Sequence, residues 1–453
     1  MMLTLRETAL ALEANLAGNA DLVFDRVTTD SRDVRPGDLF VALKGDRFDG
    51  HDYVAGALAA GAAAAVVDHA TGAASELVVP DTLAALGRLA AYWRHRLDPV
   101  VIAITGSNGK TTVKEMTATV LRELAGSDAV LATQGNLNNH IGVPLTLLSL
   151  RAPHRYAVVE MGMNHVGEID YLTRLAAPDV ALINNAASAH LEALGSVEGV
   201  ARAKGEIFGG LGDGGIAIIN ADDEYAALWS QLAAGRKQIT FGVNAAEVGA
   251  REIVLGMEAS EFILDLPLDD APASLPVPGL HNVRNALAAA AVAYALGYPV
   301  PAIAAALGQY QGVKGRLQMK RAANGARLID DSYNANPDSM KAAIDVLVAS
   351  GGDTVLVLGD IGEVGENVAA LHAEVGAYAR KRGVGKLFTV GEQMRHAAKA
   401  YGEGAIHYSD VPDNLLALLT ALRAAITPQS TVLVKGSRFM KMERVVDALV
   451  EGN

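Results

Sequence analysis

Residues 100–116 read "VVIAITGSNGKTTVKEM". An apolar run rich in β-branched residues stops at Thr105, a glycine-bearing turn follows, and a helical pattern begins near Lys110. Strand, glycine loop and helix in that order form a phosphate cradle. Glycines let the backbone turn tightly and approach a ligand, and the helix start presents free N–H groups and the positive end of its dipole. Gly106, Ser107, Asn108, Gly109, Lys110, Thr111 and Thr112 are therefore candidate nucleotide contacts. Lys110 supplies a charge for phosphate, and Thr111 a hydroxyl for Mg²⁺. The loop is short: two residues separate Gly106 from Gly109, where the common P-loop has four.

Around this stretch the chain of 453 residues has room for about three domains of roughly 150 residues. Hydrophobic residues make up 51% and charged residues 20%, enough for several packed cores. There is no cysteine, which excludes disulfides and thiolate metal sites and suits a reducing compartment. The 38 Lys and Arg against 51 Asp and Glu leave a formal charge of -13. That balance disfavours a nucleic-acid partner, whose affinity comes largely from basic residues releasing counterions. No window reaches 18 uncharged apolar residues, and the N-terminal pattern is interrupted by Arg6, Glu7 and Glu13. A cytoplasmic protein without membrane insertion is expected.

The hydrophobic pattern divides into three α/β units. Residues 1–81 carry "VTTDSRDVRPGDLFVALKG" and a helix leading into a strand, a small α/β domain. Residues 82–312 alternate helices with buried apolar runs such as "YAVVEMG" and "DVALINNA", which suit a mostly parallel sheet covered on both faces. Within it, 246–278 reads as less regular, and "HNVRNALAAAAVAYALG" as a long helix. Residues 313–453 hold five strand-like runs with crossover helices, a doubly wound Rossmann-like sheet with ligands expected at the carboxyl ends of its strands. Asp331, Asp360, Gly391 and Lys435 fall at such ends.

Three further residues gain meaning beside the loop. Glu160 ends the run "VVE", where a carboxylate suits a hard cation; a capping or ion-paired glutamate is the alternative. His190 follows another strand end, and a lone histidine there is also compatible with a structural role. Lys204 lies on the apolar stripe of Val197, Val200, Ala201, Ile207 and Phe208. Either its stem snorkels to solvent, or burial lowers its pKa and leaves an amine that reacts with CO₂ to form a carbamate.

The segments "TGSNGKTT", "VVEMG", "AHLEALGSVEGVARAKGEIF", "GLHNVRNALAA", "KGRLQ" and "DDSYNANPDS" occur in the order seen in the Mur ligases, ATP-dependent amide-forming enzymes of peptidoglycan assembly. The chain resembles that family over essentially its whole length, short loop included. The resemblance implies a UDP-precursor-binding first domain, an ATP-binding central domain and a C-terminal ligase domain. It implies that Lys110 contacts the β- and γ-phosphates, that Thr111 and Glu160 hold one Mg²⁺, and that His190 and carbamylated Lys204 help hold a second. Arg316 and Asp331 would serve the nucleotide; an interdomain ion pair between them is the other reading. His281, Asn282 and Asn285 match a motif whose asparagine reads adenine, although they also suit a helix cap.

"TTDSRDVRPGDLFVALKGDRFDGHDYV" is similar to the UDP-binding part of members that add the third residue or the terminal dipeptide. Ser31 and Arg32, with Lys44 as a further candidate, would meet the uridine and diphosphate; a plain polar turn is the other reading. "DDSYNANPDSM", and the absence of "DNPR", resemble members that join D-alanyl-D-alanine to UDP-N-acetylmuramoyl-tripeptide. Asn334, Asn336, Lys435 and Arg438 would then face the dipeptide carboxylate. In "GNLNNHIGVP", His140 stands where an acidic or amide side chain is expected, and no role is assigned to it. A monomer acting through an acyl phosphate is expected. The rivals are a ligase adding one amino acid to a nucleotide-linked peptide or a folate, and a nucleotide-binding module without turnover.

Overall fold

A computed structural model describes residues 1–187, 194–363, 365–409 and 411–451. Its framework is three sheets, each built largely of short buried strands. The central one orders its strands Val130–Ala132, Tyr156–Glu160, Val100–Thr105, Val180–Ile183, Ile216–Asn220 and Lys237–Phe241, all parallel. Val100–Thr105 is the first of these strands in sequence yet sits inside the sheet, so the strand order reverses at its flanks. In open α/β sheets the crevice at such a reversal receives the ligand. The phosphate loop emerges there, with Glu160 ending the strand on one side and Asn184 following the strand on the other.

The helix Lys110–Ala125 covers one face and packs beside Leu280–Ala295. The latter is buried from Ala286 through Ala293, where alanines let neighbouring backbones approach closely. The opposite face shares a continuous core with the first unit, running from Met2 to Ala233. The helix Thr82–Leu97 joins the two. Asp81 caps it through the amides of Leu83 and Ala84, while Trp93 Nε1 donates to the Leu150 carbonyl at 3.0 Å.

The first unit is a five-stranded sheet ordered Asn15–Ala17, Glu76–Val78, Ala64–Val67, Asp38–Val41 and Arg26–Thr28. The C-terminal sheet runs Gln318–Arg321, Arg327–Asp331, Ser430–Lys435, Asp353–Gly359, Lys386–Val390 and Ala405–Tyr408. Its five expected strands are parallel; the sixth, Gln318–Arg321, is an added antiparallel edge. Asp331 and Lys435 are register partners at the ends of adjacent strands.

The stretch read as irregular, 246–278, is instead a three-stranded antiparallel sheet of Gly249–Leu255, Ser260–Leu266 and Asp269–Leu275. Its middle and third strands alternate buried and exposed residues. The first is largely exposed and interrupted by a register shift between Arg251 and Val254, and the third carries Asp269, Asp270 and Pro272. Proline is tolerated there because that strand is an edge. Among the described residues, no helix is long and apolar enough to cross a membrane.

Candidate active site

Gly109 has φ +75°, and a Cβ on it would lie 2.5 Å from Asn285 Oδ1 and 2.6 Å from Asn184 Nδ2. Both the left-handed backbone and the close approach require glycine. Neighbouring amides hold the loop in shape. Asn185 Oδ1 accepts from Asn108 N at 2.8 Å, and Asn184 Nδ2 donates to the Asn108 carbonyl at 2.9 Å. Lys110 Nζ donates to the Gly106 carbonyl at 2.7 Å. The helix behind the loop has no side-chain cap, so its first-turn amides face the ligand crevice with their dipole.

The loop forms one wall of a cavity of about 710 Å³ between the central and C-terminal units. Glu160, buried at the strand end, accepts from Asn138 Nδ2 at 2.7 Å through Oε1. Its Oε2 is buried without a partner. A buried orphan carboxylate oxygen is costly unless something pairs with it, and a cation does so. Lys204 also lines the cavity and is 1% exposed, which rules out snorkelling. Burial, with a smaller push from the charge on Lys110, holds its amine well below the usual lysine range. Burial likewise lowers the Lys110 pKa, with Glu160 opposing. His190 lies outside the described residues.

The C-terminal unit supplies the facing wall. Arg316 Nη2 donates to Thr111 Oγ1 at 3.0 Å, and its guanidinium stacks on Tyr333 at 4.5 Å from the ring centre. Asp331 pairs not with Arg316 but with Lys435, at 2.6 Å, so the alternative of an Arg316–Asp331 ion pair is not what holds the units together. Burial raises the Asp331 pKa, while Lys435 and Arg316 pull it back. Lys435 also donates to the Asn334 carbonyl at 2.9 Å. Asn336 caps the helix Pro337–Ala349 by accepting from Ser339 N, and its Nδ2 reaches Asn108 Oδ1 at 2.6 Å across the cleft. Arg438 lines the same cavity and is bound to Glu443 at 2.9 Å.

His281, Asn282 and Asn285 line the cavity, but they do not cap the helix Leu280–Ala295; Gly279 is its N-cap, with no side-chain bond. Asn282 donates to the Pro278 carbonyl, and Asn285 Oδ1 accepts from Asn184. Burial, aided by the charges of Lys435 and Arg284, pushes the His281 pKa down to about 4.

Ser31, Arg32 and Lys44 are not part of this cavity wall. Arg32 makes a two-pronged pair with Asp30, and Lys44 lies 3.5 Å from Asp49. The structure adds Asn138, Asn184, Asn185 and Tyr333, which sequence reasoning left without roles. The adjacent amides of "NNA" at a parallel strand's carboxyl end were the available signal.

The chain matches the family descriptions Mur ligase middle domain over residues 104–293, Mur ligase glutamate ligase domain over 315–438, and Mur ligase family catalytic domain over 23–94. It is 46% identical to the UDP-N-acetylmuramoyl-tripeptide–D-alanyl-D-alanine ligase of Escherichia coli K12, covering 99% of this chain and 98% of that protein. This chain belongs to the Mur ligase family. Among solved Mur ligases, a crystal structure of MurF from Acinetobacter baumannii superposes with a TM-score of 0.93 at 39% identity, covering 99% and 98% of the two chains. MurF from Thermotoga maritima in complex with ADP gives 0.84 at 26% identity, covering 95% and 98%.

The residues present fit a nucleotide phosphate and a hard cation. The Gly109 cradle and bare helix start suit phosphate, and the orphan Glu160 oxygen with the Thr111 hydroxyl makes an oxygen donor set for Mg²⁺.

Proposed function

We propose that this chain joins D-alanyl-D-alanine to UDP-N-acetylmuramoyl-tripeptide, converting ATP to ADP and phosphate. The observation that carries the reading is the two-sided cavity. One wall bears the phosphate loop and the unpartnered Glu160 oxygen; the other bears Arg316, the Asp331–Lys435 pair and Arg438. The similarity to the Escherichia coli ligase over nearly the whole of both chains supports the choice of substrates.

The tripeptide carboxylate attacks the γ-phosphorus and the bond to ADP breaks, leaving an acyl phosphate. The dipeptide amine then attacks the carbonyl carbon, phosphate leaves, and the nitrogen gives up a proton. Both reactants of the first step are anionic, so charge must be neutralised and geometry held. Gly106, Ser107, Asn108, Gly109 and Thr112 cradle the phosphates, and Lys110 contacts the β- and γ-groups. Thr111 and Glu160 would hold one Mg²⁺ and His190 with carbamylated Lys204 a second, and ions held there would offset phosphate charge. The carbamate forms when the neutral Lys204 amine adds to CO₂ and releases a proton.

Arg316 and Asp331 serve the nucleotide, and His281, Asn282 and Asn285 the adenine. Ser31, Arg32 and Lys44 take the uridine diphosphate end, while Asn334, Asn336, Lys435 and Arg438 receive the dipeptide. The domains are 1–81, 82–312 and 313–453. The protein acts as a cytoplasmic monomer.

The test is ADP release from Mg-ATP and UDP-N-acetylmuramoyl-tripeptide, with and without D-alanyl-D-alanine. Release that requires the dipeptide, with a matching mass gain on the nucleotide precursor, is the expected result. Release with a single free amino acid instead would move the chain to an earlier step.

A further inference from the structure

Lys114 is fully buried yet contributes nothing to the cavity wall. It lies one turn beyond Lys110 on the helix behind the phosphate loop. Its ammonium contacts the Glu115 carboxylate and donates to the Thr133 carbonyl at 2.7 Å. Holding an ammonium in a core is costly, so its partners indicate what it is there to hold.

Thr133 follows the edge strand Val130–Ala132 and adds one more rung, its N–H donating to the Val158 carbonyl at 3.0 Å. In a parallel ladder the next rung would run from Glu160 N–H to the Thr133 carbonyl. That rung is replaced. Glu160 N–H donates to the Thr133 hydroxyl at 2.9 Å, and the carbonyl is turned to Lys114. From this break the chain leaves the sheet and reaches Asn138, which binds Glu160 Oε1. The far end is secured as well: Gly162 N–H donates to the Asn138 carbonyl at 2.8 Å, and a Cβ on Gly162 would come within 3.0 Å of the Asn138 side chain.

We propose that Lys114 is a positioning residue that draws the Thr133 carbonyl out of the ladder and so sets the backbone and Asn138 contacts that aim Glu160 at its cation. Without the ammonium, the carbonyl reverts to the ordinary rung with Glu160 N–H, and the segment from Thr133 to Asn138 is re-aimed. The inference rests on the reading of Glu160 as a metal carboxylate, and the controls separate the two.

The experiment is calorimetric binding of a non-hydrolysable ATP analogue, with Mg²⁺ and in EDTA, to wild type, Lys114→Met, Thr133→Val, Thr133→Ser and Glu160→Gln. Losing an outer-shell partner typically lowers metal affinity about 10- to 100-fold. The Mg²⁺-dependent gain in affinity should therefore fall about tenfold or more in Lys114→Met and Thr133→Val, with affinity in EDTA changing less than about twofold. Thr133→Ser, which keeps the hydroxyl, should behave like wild type. If Lys114→Met does not fold, Thr133→Val decides.

A retained Mg²⁺-dependent gain in Lys114→Met or Thr133→Val, alongside its loss in Glu160→Gln, overturns the role of Lys114 and leaves the metal reading standing. Equal losses with Mg²⁺ and in EDTA overturn it too, because they place the effect on the phosphate loop. A gain retained in Glu160→Gln removes the metal reading and this proposal together.

Discussion

Lys110 is held against its own loop and depressed by burial, so its stem and charge are already placed where phosphate is expected. Lys110→Ala should lower kcat by roughly 10²- to 10³-fold, about 3–4 kcal/mol, as for the loss of one electrostatic donor. Steady-state ADP formation checks this. Lys204→Ala should be nearly inactive, and short carboxylic acids should restore part of the rate by standing in for the carbamate. Full activity without rescue would return Lys204 to a packing role. His281 offers a pH test. Its pKa falls from an ordinary value near 6.5 to about 4, so it favours the folded state fully above pH 6.5. That contribution is lost as pH falls through about 4. Two-dimensional NMR of the imidazole should show a neutral ring at pH 6; a midpoint near 6.5 would contradict its burial. These residue-scale features were partly legible. The sequence left open whether Lys204 snorkels, because periodicity places a side chain on a face without saying how deeply that face is covered.

At the scale of elements, the phosphate helix and the helix Pro337–Ala349 carry the site on their first turns. Gly109→Ala should destabilise by about 1 kcal/mol or more, since a left-handed alanine costs about that much before any clash with Asn285 and Asn184. Chemical denaturation measures the loss, and nucleotide affinity should fall with it. Asn336 separates two duties. Asn336→Ala should cost about 1 kcal/mol through the lost cap, whereas Asn336→Ser should stay within a few tenths of wild type because serine caps as well. Thr105, Gly109 and Asn336 announce these ends through composition. The antiparallel sheet of 249–275 did not, because its first strand is bulged and largely exposed, while the third alternates through Asp269, Asp270 and Pro272, residue types that weigh against a strand.

For the whole molecule, the cavity exists only because two separately packed units meet. Arg316 to Thr111 and Asn336 to Asn108 are bonds across that cleft, between residues 205 and 228 positions apart. Combining Arg316→Ala with Asn336→Ser removes both while preserving the cap, so small-angle scattering should show a larger radius of gyration at nearly unchanged melting temperature. An unchanged radius would mean that other contacts hold the cleft.

The local chemistry was determined by sequence alone: strand, glycine loop, charged helix start, a carboxylate at a strand end and an asparagine before proline each follow from backbone sterics and short-range hydrogen bonding. Partnership was decided by tertiary structure. Asp331 takes Lys435 rather than Arg316 because strand register sets them side by side. Asn184 and Asn185 become loop clamps because the sheet order puts their strand beside Val100–Thr105. Glu160 keeps one bare oxygen because Asn138, arriving from a loop beyond the sheet edge, binds only the other. Such pairings depend on contacts between residues far apart in the chain, and no local pattern encodes them.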